Sequence, residues 1–309
     1  MSFSAAESPE VRALARRSEA HATNFWQNKG VDLSVIIPTC NRPKSLLRVV
    51  RPLLPQISQS RHACELIIVD DGGAREAERV LHDSLDKDAI SLLKTLRLSE
   101  NRGPSAARNA GINVATGKIL AFLDDDCVPA ENYIDETLRI HNEYPHVLLL
   151  NGDLVARSKN IYSRFWFYYY NAAFNGGEGE VYPVTRVASG HCSIKRELLD
   201  SFSPLFDDKL RSREDYDLWL RLKKVGIQPF KAETIKAGIE CRSNLRSFLE
   251  QRAWYAEGED AIRQKHDIEH VLADQSEHFT PPSWRFLHLH LATTIYLLLK
   301  RNVGEQSTS

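Results

Sequence analysis

Three consecutive carboxylates, Asp124, Asp125 and Asp126, are the strongest chemical signal in the sequence. They follow a short apolar run, Ile119–Leu123, of the kind that forms a buried strand. Adjacent negative charges repel one another, so a cation is the natural way to hold two of them together. Hard carboxylate oxygens suit Mg²⁺ or Mn²⁺, with substrate phosphates completing the coordination. We therefore predict Asp126 as a direct metal ligand, and Asp124 as holding either the metal through water or a ribose hydroxyl.

Two further groups of residues could contact a nucleotide. Asp70 and Asp71 precede two glycines, and this acidic turn is either a plain tight turn or a site where a carboxylate accepts hydrogen bonds from a base or ribose. Arg108 lies on a predicted helix that starts at Pro104. It is either a solvated surface arginine or a contact to a base or phosphate.

Acidic residues also occupy the first turn of a predicted helix at 214–224. The helix dipole alone is sufficient to explain acids at that position. A carboxylate fixed at a helix start is equally a good mount for a general base, and Asp215 is our candidate, with Glu214 and Trp219 expected on the acceptor side. His191 is either a buried histidine or a phosphate or metal contact.

These residues need a scaffold, and the chain supplies alternating strand and helix patterns. The predicted strands are 33–37, 66–69, 90–98, 119–123 and 147–150, followed later by 185–195 and 227–240. Strands that alternate with helices of 10 to 15 residues indicate an α/β fold with a mostly parallel sheet. In such sheets ligands bind outside the carboxyl ends of the strands, where the acidic tips fall.

Composition limits the classes of partner. The 309 residues carry 40 basic and 41 acidic side chains, a formal net charge of −1, so no overall positive field attracts nucleic acid. The five cysteines are widely spaced and odd in number, which indicates neither a zinc site nor a disulfide framework and favours a reducing, cytoplasmic compartment.

The N-terminal and C-terminal segments lead to separate predictions. Residues 1–30 lack the apolar core of a signal peptide, and we interpret them as an N-terminal extension with one short helix at about 9–21. The apolar segment 286–299 is too short to cross a bilayer. It is either a helix docked on the core or an amphipathic helix that rests peripherally on the inner face of the membrane.

Five sequence blocks, taken in order, resemble family 2 glycosyltransferases with the GT-A fold. They are SVIIPTCNRPKSL, LIIVDDGG, NRGPSAARNAGINVATGKILAFLDDD, SGHCSIKRELL and REDYDLWLRL. The resemblance implies a Rossmann-like GT-A domain at 31–240, with a nucleotide-binding half at 31–150 and an acceptor half at 151–240. Residues 241–309 are then a helical C-terminal region.

The resemblance also implies an activity: inverting transfer of a sugar, with Mn²⁺ or Mg²⁺, from a nucleotide sugar to an acceptor hydroxyl on a glycan, a lipid-linked sugar or another molecule. A uridine nucleotide is the commonest donor type in this family. Asp215 maps to the catalytic base, and Asp124, Asp125 and Asp126 map to the DxD motif that holds metal and diphosphate, with Asp125 turned toward the donor. The nucleotide-binding positions are Pro38, Thr39, Asn41, Arg42, Asp70 and Asp71. We also predict Arg252 near the acceptor.

Two alternative functions stay open at this stage. Asp124-Asp125-Asp126-Cys127-Val128 matches the nucleophile motif of haloacid dehalogenase-like phosphatases, in which Asp124 would be phosphorylated. A sugar-nucleotide-binding protein without catalysis is the second alternative. Such a protein would lack the catalytic base or the DxD motif, whereas this sequence contains a candidate for the base and the DxD motif.

Overall fold

The computed structural model describes residues 30–174, 177–267 and 286–306, so the predicted N-terminal helix lies outside the described residues. Nine strands are described: β1 Leu33–Thr39, β2 Cys64–Asp70, β3 Leu93–Arg97, β4 Ile119–Leu123, β5 Cys127–Pro129, β6 Leu149–Ala156, β7 Val181–Pro183, β8 His191–Lys195 and β9 Phe230–Ile239. The α-helices are α1 Pro43–Gln59, α2 Ala77–Ser84, α3 Lys87–Ser91, α4 Pro104–Val114, α5 Tyr133–Glu143, α6 Ile161–Phe174, α7 Glu214–Lys224, α8 Leu245–His266 and α9 Leu287–Gln306.

The strands form one nine-stranded mixed sheet in the order β3-β2-β1-β4-β8-β6-β9-β5, with β7 paired to β9. Neighbours among β3, β2, β1 and β4 are parallel, as the alternation of strands and helices predicts. The pairs β4–β8, β6–β8, β5–β9 and β7–β9 are antiparallel. The α/β prediction is confirmed, and the parallel, Rossmann-like part is the half of the sheet that carries the acidic tips.

Burial explains why the central strands are continuous apolar runs. Every residue of β1 and β4 is buried, as expected for strands covered on both faces. On α4, Gly111 lies so close to the sheet that a Cβ there would be 2.4 Å from the Cγ2 of Ile36. This close approach brings the whole of α4, including Arg108, down onto the sheet.

The described chain separates into two compact units. The first comprises residues 30–155 and 177–239 and contains the sheet. The second comprises 156–174, 240–267 and 286–306, which are chiefly α6, α8 and α9. Its core is a cluster of Phe165, Phe248, Phe286 and Leu289. The helical C-terminal region is therefore confirmed, and the aromatic helix α6 groups with it. No helix in the described ranges is both long and apolar enough to cross a membrane.

Candidate active site

The acidic triplet follows β4 in a tight turn at the carboxyl edge of the parallel strands. The Asp124 amide donates to the Gly190 carbonyl (2.9 Å), and the Cys127 amide donates back to the Asp124 carbonyl (3.0 Å). The side chains of Asp124 and Asp126 are 38% and 26% exposed, whereas that of Asp125 is 6% exposed. The first and third carboxylates can therefore reach a ligand, and the middle one faces inward.

Asp125 connects the triplet to the end of β1. Its carboxylate accepts hydrogen bonds from the Thr39 hydroxyl (2.6 Å) and from Arg42 (3.0 Å). Burial raises the pKa of Asp125 to about 6, although Arg42 and Thr39 act in the opposite direction. The polar groups of Asp125 and Thr39 thus bond to each other, and their predicted contact with the donor stays a prediction.

Arg42 and Asn41 form the exposed rim beyond β1. Arg42 lies 2.9 Å from the Asp126 carboxylate while it also holds Asp125, and its side chain is 38% exposed. Asn41 is exposed and has a positive φ of 57°. Its Oδ1 accepts from the Arg75 amide. Pro38 is buried within β1. Of the predicted nucleotide contacts that follow β1, Asn41 and Arg42 are thus the accessible side chains.

The acids after β2 organise the loops around them. The Asp70 carboxylate is buried and accepts from the amides of Gly73 and Ala77 and from Arg97. Asp70 therefore holds the loop together, and its predicted contact to a nucleotide stays a prediction. Asp71 is also buried and accepts from the amides of Arg102 and Gly103 at 2.8 Å. Burial raises the pKa of Asp71.

Arg108 is not on the surface. Its side chain is only 2% exposed, and its guanidinium donates to Asp124 (2.5 Å) and to Glu214 (2.7 Å). The guanidinium carbon also lies 5.5 Å from the ring centre of Phe206. Arg108 joins the acidic triplet to the start of α7, and its predicted contact with a base or phosphate stays a prediction.

Glu214 and Asp215 begin α7 but have different surroundings. The Glu214 carboxylate is buried and accepts from Arg108 and from the Ser189 hydroxyl (2.8 Å). Asp215 is partly exposed. Burial, followed by the charge of Glu214, raises the pKa of Asp215 from 3.8 to about 6. Asp215 is therefore the carboxylate of this pair that can take a proton near neutral pH.

Glu214 and Trp219, both predicted on the acceptor side, are buried in the structure, and their roles toward an acceptor stay predictions. Glu214 points inward to Arg108, as described above. Trp219 is 5% exposed, and the Arg186 guanidinium stacks over its ring at 4.7 Å. Neither side chain presents a surface to an acceptor.

Arg252, the third residue predicted for the acceptor side, belongs to the second unit. It lies on α8 with its guanidinium 5.9 Å from the ring centres of Phe165 and Tyr255. Its role toward an acceptor stays a prediction.

His191 is a core residue, as one of its two sequence interpretations expects, and its contact with a metal or phosphate stays a prediction. It is 1% exposed, and its ring stacks on Tyr133 at 5.7 Å between centres. Burial lowers the pKa of His191 to about 3, so the ring is neutral. Gly152 faces this ring so closely that a Cβ would lie 2.3 Å from its Cε1.

The carboxylates of the triplet suit a metal ion that is coordinated partly by protein and partly by substrate, and not one that is enclosed by protein ligands alone. No three His, Cys, Asp or Glu side chains in the described part of the chain gather into a metal site. Asp124 and Asp126 nevertheless offer two accessible carboxylates separated by one residue. Mg²⁺ and Mn²⁺ sites of this kind take one or two protein carboxylates and complete their coordination with substrate phosphates and water.

Gly190 is a site residue that sequence reasoning missed. A Cβ at this position would lie 2.3 Å from Oδ2 of Asp124. The glycine therefore leaves room for the carboxylate at the start of β8. A glycine within the predicted strand 185–195 was the only available signal, and it gave no indication of the partner.

Comparison with known proteins agrees with this geometry. The model of Glycosyl transferase family 2 matches residues 34–202. The chain belongs to this family. It is 26% identical over 240 residues to the pre-mycofactocin glycosyltransferase of Mycobacterium tuberculosis, an alignment that covers 76% of this chain and 48% of the relative. The chain thus spans about half the length of this curated relative.

Solved structures support the fold. The structure of S. aureus TarS 1–349 in complex with UDP-GlcNAc matches with a TM-score of 0.55 at 17% identity, over 74% of this chain and 66% of that one. GalNAc-T7 with UDP, GalNAc and Mn²⁺ matches with a TM-score of 0.54 at 16% identity, over 70% and 44% of the two chains. The GT-A fold class is confirmed.

Proposed function

We propose that this glycosyltransferase transfers a sugar from a uridine nucleotide sugar to an acceptor hydroxyl with inversion, with a divalent metal ion at Asp124 and Asp126. The observation that carries the proposal is Asp215: a partly exposed carboxylate with a pKa raised to about 6, at the first turn of a rigid helix. Arg108 links the residue next to it directly to Asp124.

The metal and the protein carry separate tasks. A bound Mn²⁺ or Mg²⁺ would neutralise the charge that develops on the leaving diphosphate. Asp124 and Asp126 would hold it, since theirs are the accessible carboxylates of the triplet. Arg42 pairs with Asp126 and is partly exposed, so it is free to move from the carboxylate toward a diphosphate. That GalNAc-T7, a protein of the same fold, was solved with Mn²⁺ supports the choice of a divalent ion.

Asp215 would take the proton of the acceptor hydroxyl while that oxygen attacks the anomeric carbon and the C–O bond to the diphosphate breaks. A retaining double displacement would need a second carboxylate as nucleophile. The neighbouring Glu214 does not meet that need, because Arg108 and Ser189 already bind its buried carboxylate. A single base therefore favours inversion.

The experiment that tests this proposal is a thermal-stabilisation screen. Nucleotide sugars with uridine, guanosine, cytidine and thymidine bases would each be added with Mn²⁺ and with EDTA. We expect a uridine nucleotide sugar to raise the melting temperature only with the metal. Proton NMR of the transfer product then gives the anomeric configuration. Stabilisation that is independent of metal, or a product with retained configuration, would contradict the proposal.

The phosphatase alternative lacks structural support. Asp124, which would have to act as the nucleophile, is salt-bridged to the buried Arg108. The family match also covers the triplet as part of a glycosyltransferase domain. Incubation with a phosphate monoester such as p-nitrophenyl phosphate should release no phosphate.

We also propose that the second unit rests on an anionic membrane surface through α9. One face of α9 packs into the core, with Phe286 just before the helix and Leu289 within it buried. The opposite stripe is more than half exposed, at Leu287, Leu291, Ile295 and Leu298. The helix therefore packs one face on the core of the second unit and presents an apolar surface on the other. That surface supports the proposed membrane contact.

The charge pattern favours lipid, and not a second copy of the chain, as the partner that covers this exposed apolar stripe. From 284 to 303 the sequence contains no acidic residue and carries Arg285, Lys300 and Arg301 at its ends. Two such helices paired in either direction would bring basic ends together without an acid between them. An anionic headgroup layer complements basic ends and admits an apolar stripe.

Vesicle flotation tests this surface. We expect the protein to bind vesicles that contain about a third phosphatidylglycerol and not pure phosphatidylcholine vesicles, with loss of binding at high salt. A Leu291→Ser/Ile295→Ser variant should stay in solution. Equal flotation of that variant, or dimerisation without lipid, would contradict the proposal.

A further inference from the structure

Arg108 connects parts of the chain that are far apart in sequence. Its two terminal nitrogens bond to different carboxylates: one to Glu214, 106 residues later, and the other to Asp124, 16 residues later. The first contact reaches the start of α7, and the second reaches the end of β4. The planar, always charged guanidinium suits such a fork, whereas a lysine has a single nitrogen.

The surroundings hold Arg108 in place. Its side chain is 2% exposed, and the Phe206 ring lies under the guanidinium. A buried cation of this kind persists only when its charge is balanced, and here two acids balance it. Arg42 differs, because its side chain is 38% exposed and can exchange its partners.

We propose that Arg108 is a positioning residue that couples the metal-binding carboxylate Asp124 to the helix turn carrying Asp215, so that donor binding and proton removal share one rigid frame. This inference rests on the proposed function, in which Asp124 holds the donor's metal and Asp215 is the base. It assigns Arg108 no contact with substrate.

The groups that face Asp215 determine what loss of Arg108 would do. On α7 and just before it these are Glu214 and Arg213; on α4 it is Arg108, and on β8 it is the thiol of Cys192. Without Arg108 the charge of Glu214 would act on Asp215 with less compensation. The pKa of Asp215 should then rise, and the carboxylate of Asp124 should lose its fixed orientation.

Four variants separate these effects. Arg108→Met removes the charge at similar volume, and Arg108→Lys keeps the charge without the fork. Glu214→Gln removes the negative charge that pairs with Arg108 at the start of α7 and keeps an oxygen that can accept hydrogen bonds. Arg221→Met is the matched control, since Arg221 pairs with Asp217 on the same helix at 2.8 Å without contacting the triplet.

The two readouts are calorimetry of UDP binding with Mn²⁺, and NMR titration of ¹³C-carboxyl aspartate, with Asp215→Asn assigning the resonance. For Arg108→Met we expect roughly tenfold weaker UDP binding and a rise of about one unit in the pKa of Asp215. Arg108→Lys should recover part of both. Arg221→Met should change neither. A folded Arg108→Met protein with unchanged UDP affinity and unchanged Asp215 titration would overturn the inference.

Two outcomes need separate interpretation. If Arg108→Met does not fold, Arg108→Lys decides: we expect weaker UDP binding and a raised pKa of Asp215, and a folded Arg108→Lys protein in which neither changes overturns the coupling. In Glu214→Gln the pKa of Asp215 should fall because a neighbouring negative charge is removed, which shows that the titration detects this neighbour. If the wild-type protein itself binds no UDP with Mn²⁺, the proposed donor is wrong. The NMR titration still tests the link between Arg108 and Asp215 in that case.

Discussion

Gly190 touches the carboxylate of Asp124 so closely that a single methyl group would fill the contact, with a Cβ 2.3 Å from Oδ2. The backbone φ of Gly190 is not among the positive values in the described chain, so alanine fits its conformation. The atom that must move is the end of a side chain and not the backbone. A substitution here therefore displaces the acid without breaking the sheet.

Gly190→Ala should weaken UDP binding in the presence of Mn²⁺ by roughly tenfold, about 1.4 kcal/mol, because the displaced Asp124 no longer meets the metal. The melting temperature should fall as well, but less than for a core substitution, because the displaced carboxylate loses its contact with the buried Arg108 while Glu214 still pairs with it. Calorimetry and thermal melting check the two parts. A large loss of stability with normal UDP affinity would show that Gly190 serves folding instead.

Asp126→Ala should weaken UDP binding only when metal is present, because this carboxylate is proposed to hold the ion and not the nucleotide. Calorimetry with Mn²⁺ and with EDTA measures both conditions. Asp83→Ala is a suitable control, since Asp83 is an exposed acid on α2. Equal affinity of Asp126→Ala and wild type in Mn²⁺ would remove the metal role from this residue.

The raised pKa of Asp215 predicts a stability effect of known sign. Its pKa is about 6 in the folded protein against an ordinary 3.8, so the folded state favours the protonated form. The associated stability is complete below the ordinary value and is lost as pH rises through about 6. Asp215→Asn should therefore melt at a higher temperature than the wild type above neutral pH. The difference should shrink as pH falls toward about 4, and a variant less stable than the wild type near pH 8 would contradict the assignment.

The lowered pKa of Glu65, a residue outside the candidate site, predicts the opposite dependence of stability on pH. Burial alone would raise its pKa, but Lys94, Ser34 and Thr116 lower it to about 2. Its contribution to stability is present above the ordinary value of 4.5 and is lost as pH falls toward about 2. Glu65→Gln should lower the free energy of unfolding by about 1–3 kcal/mol near pH 7. Urea unfolding measures this, with the exposed Glu78→Gln as control, and UDP binding should not change.

The sequence predicted the elements that hydrophobic patterning and turn residues determine. The helix 214–224 and the buried strand 119–123 have the predicted bounds. Their ends could be predicted because acidic residues or a glycine lie there. The third strand is shorter than predicted: 87–91 forms α3, since the Asp86 side chain caps it by accepting from the Ala89 amide. The strand expected from 185 starts at His191, after a turn.

The sequence indicates the residue types at the candidate site but not the directions of their side chains. It predicts Asp125 turned toward the donor, whereas the side chain faces inward to Thr39 and Arg42. It leaves Arg108 either solvated or in contact with a base or phosphate and predicts Glu214 on the acceptor side, whereas the two face each other in the core. Such pairing depends on contacts between residues that are 106 positions apart, which local patterns do not contain.

Asp215→Asn gives the most direct test of the account. With the nucleotide sugar selected by the stabilisation screen, we expect UDP binding in Mn²⁺ at the wild-type affinity and sugar transfer reduced by about 10³-fold, because the base is lost while the donor site is intact. Asp200→Asn, an exposed control, should transfer normally. Transfer by Asp215→Asn at the wild-type rate would contradict the assignment of Asp215 as the base.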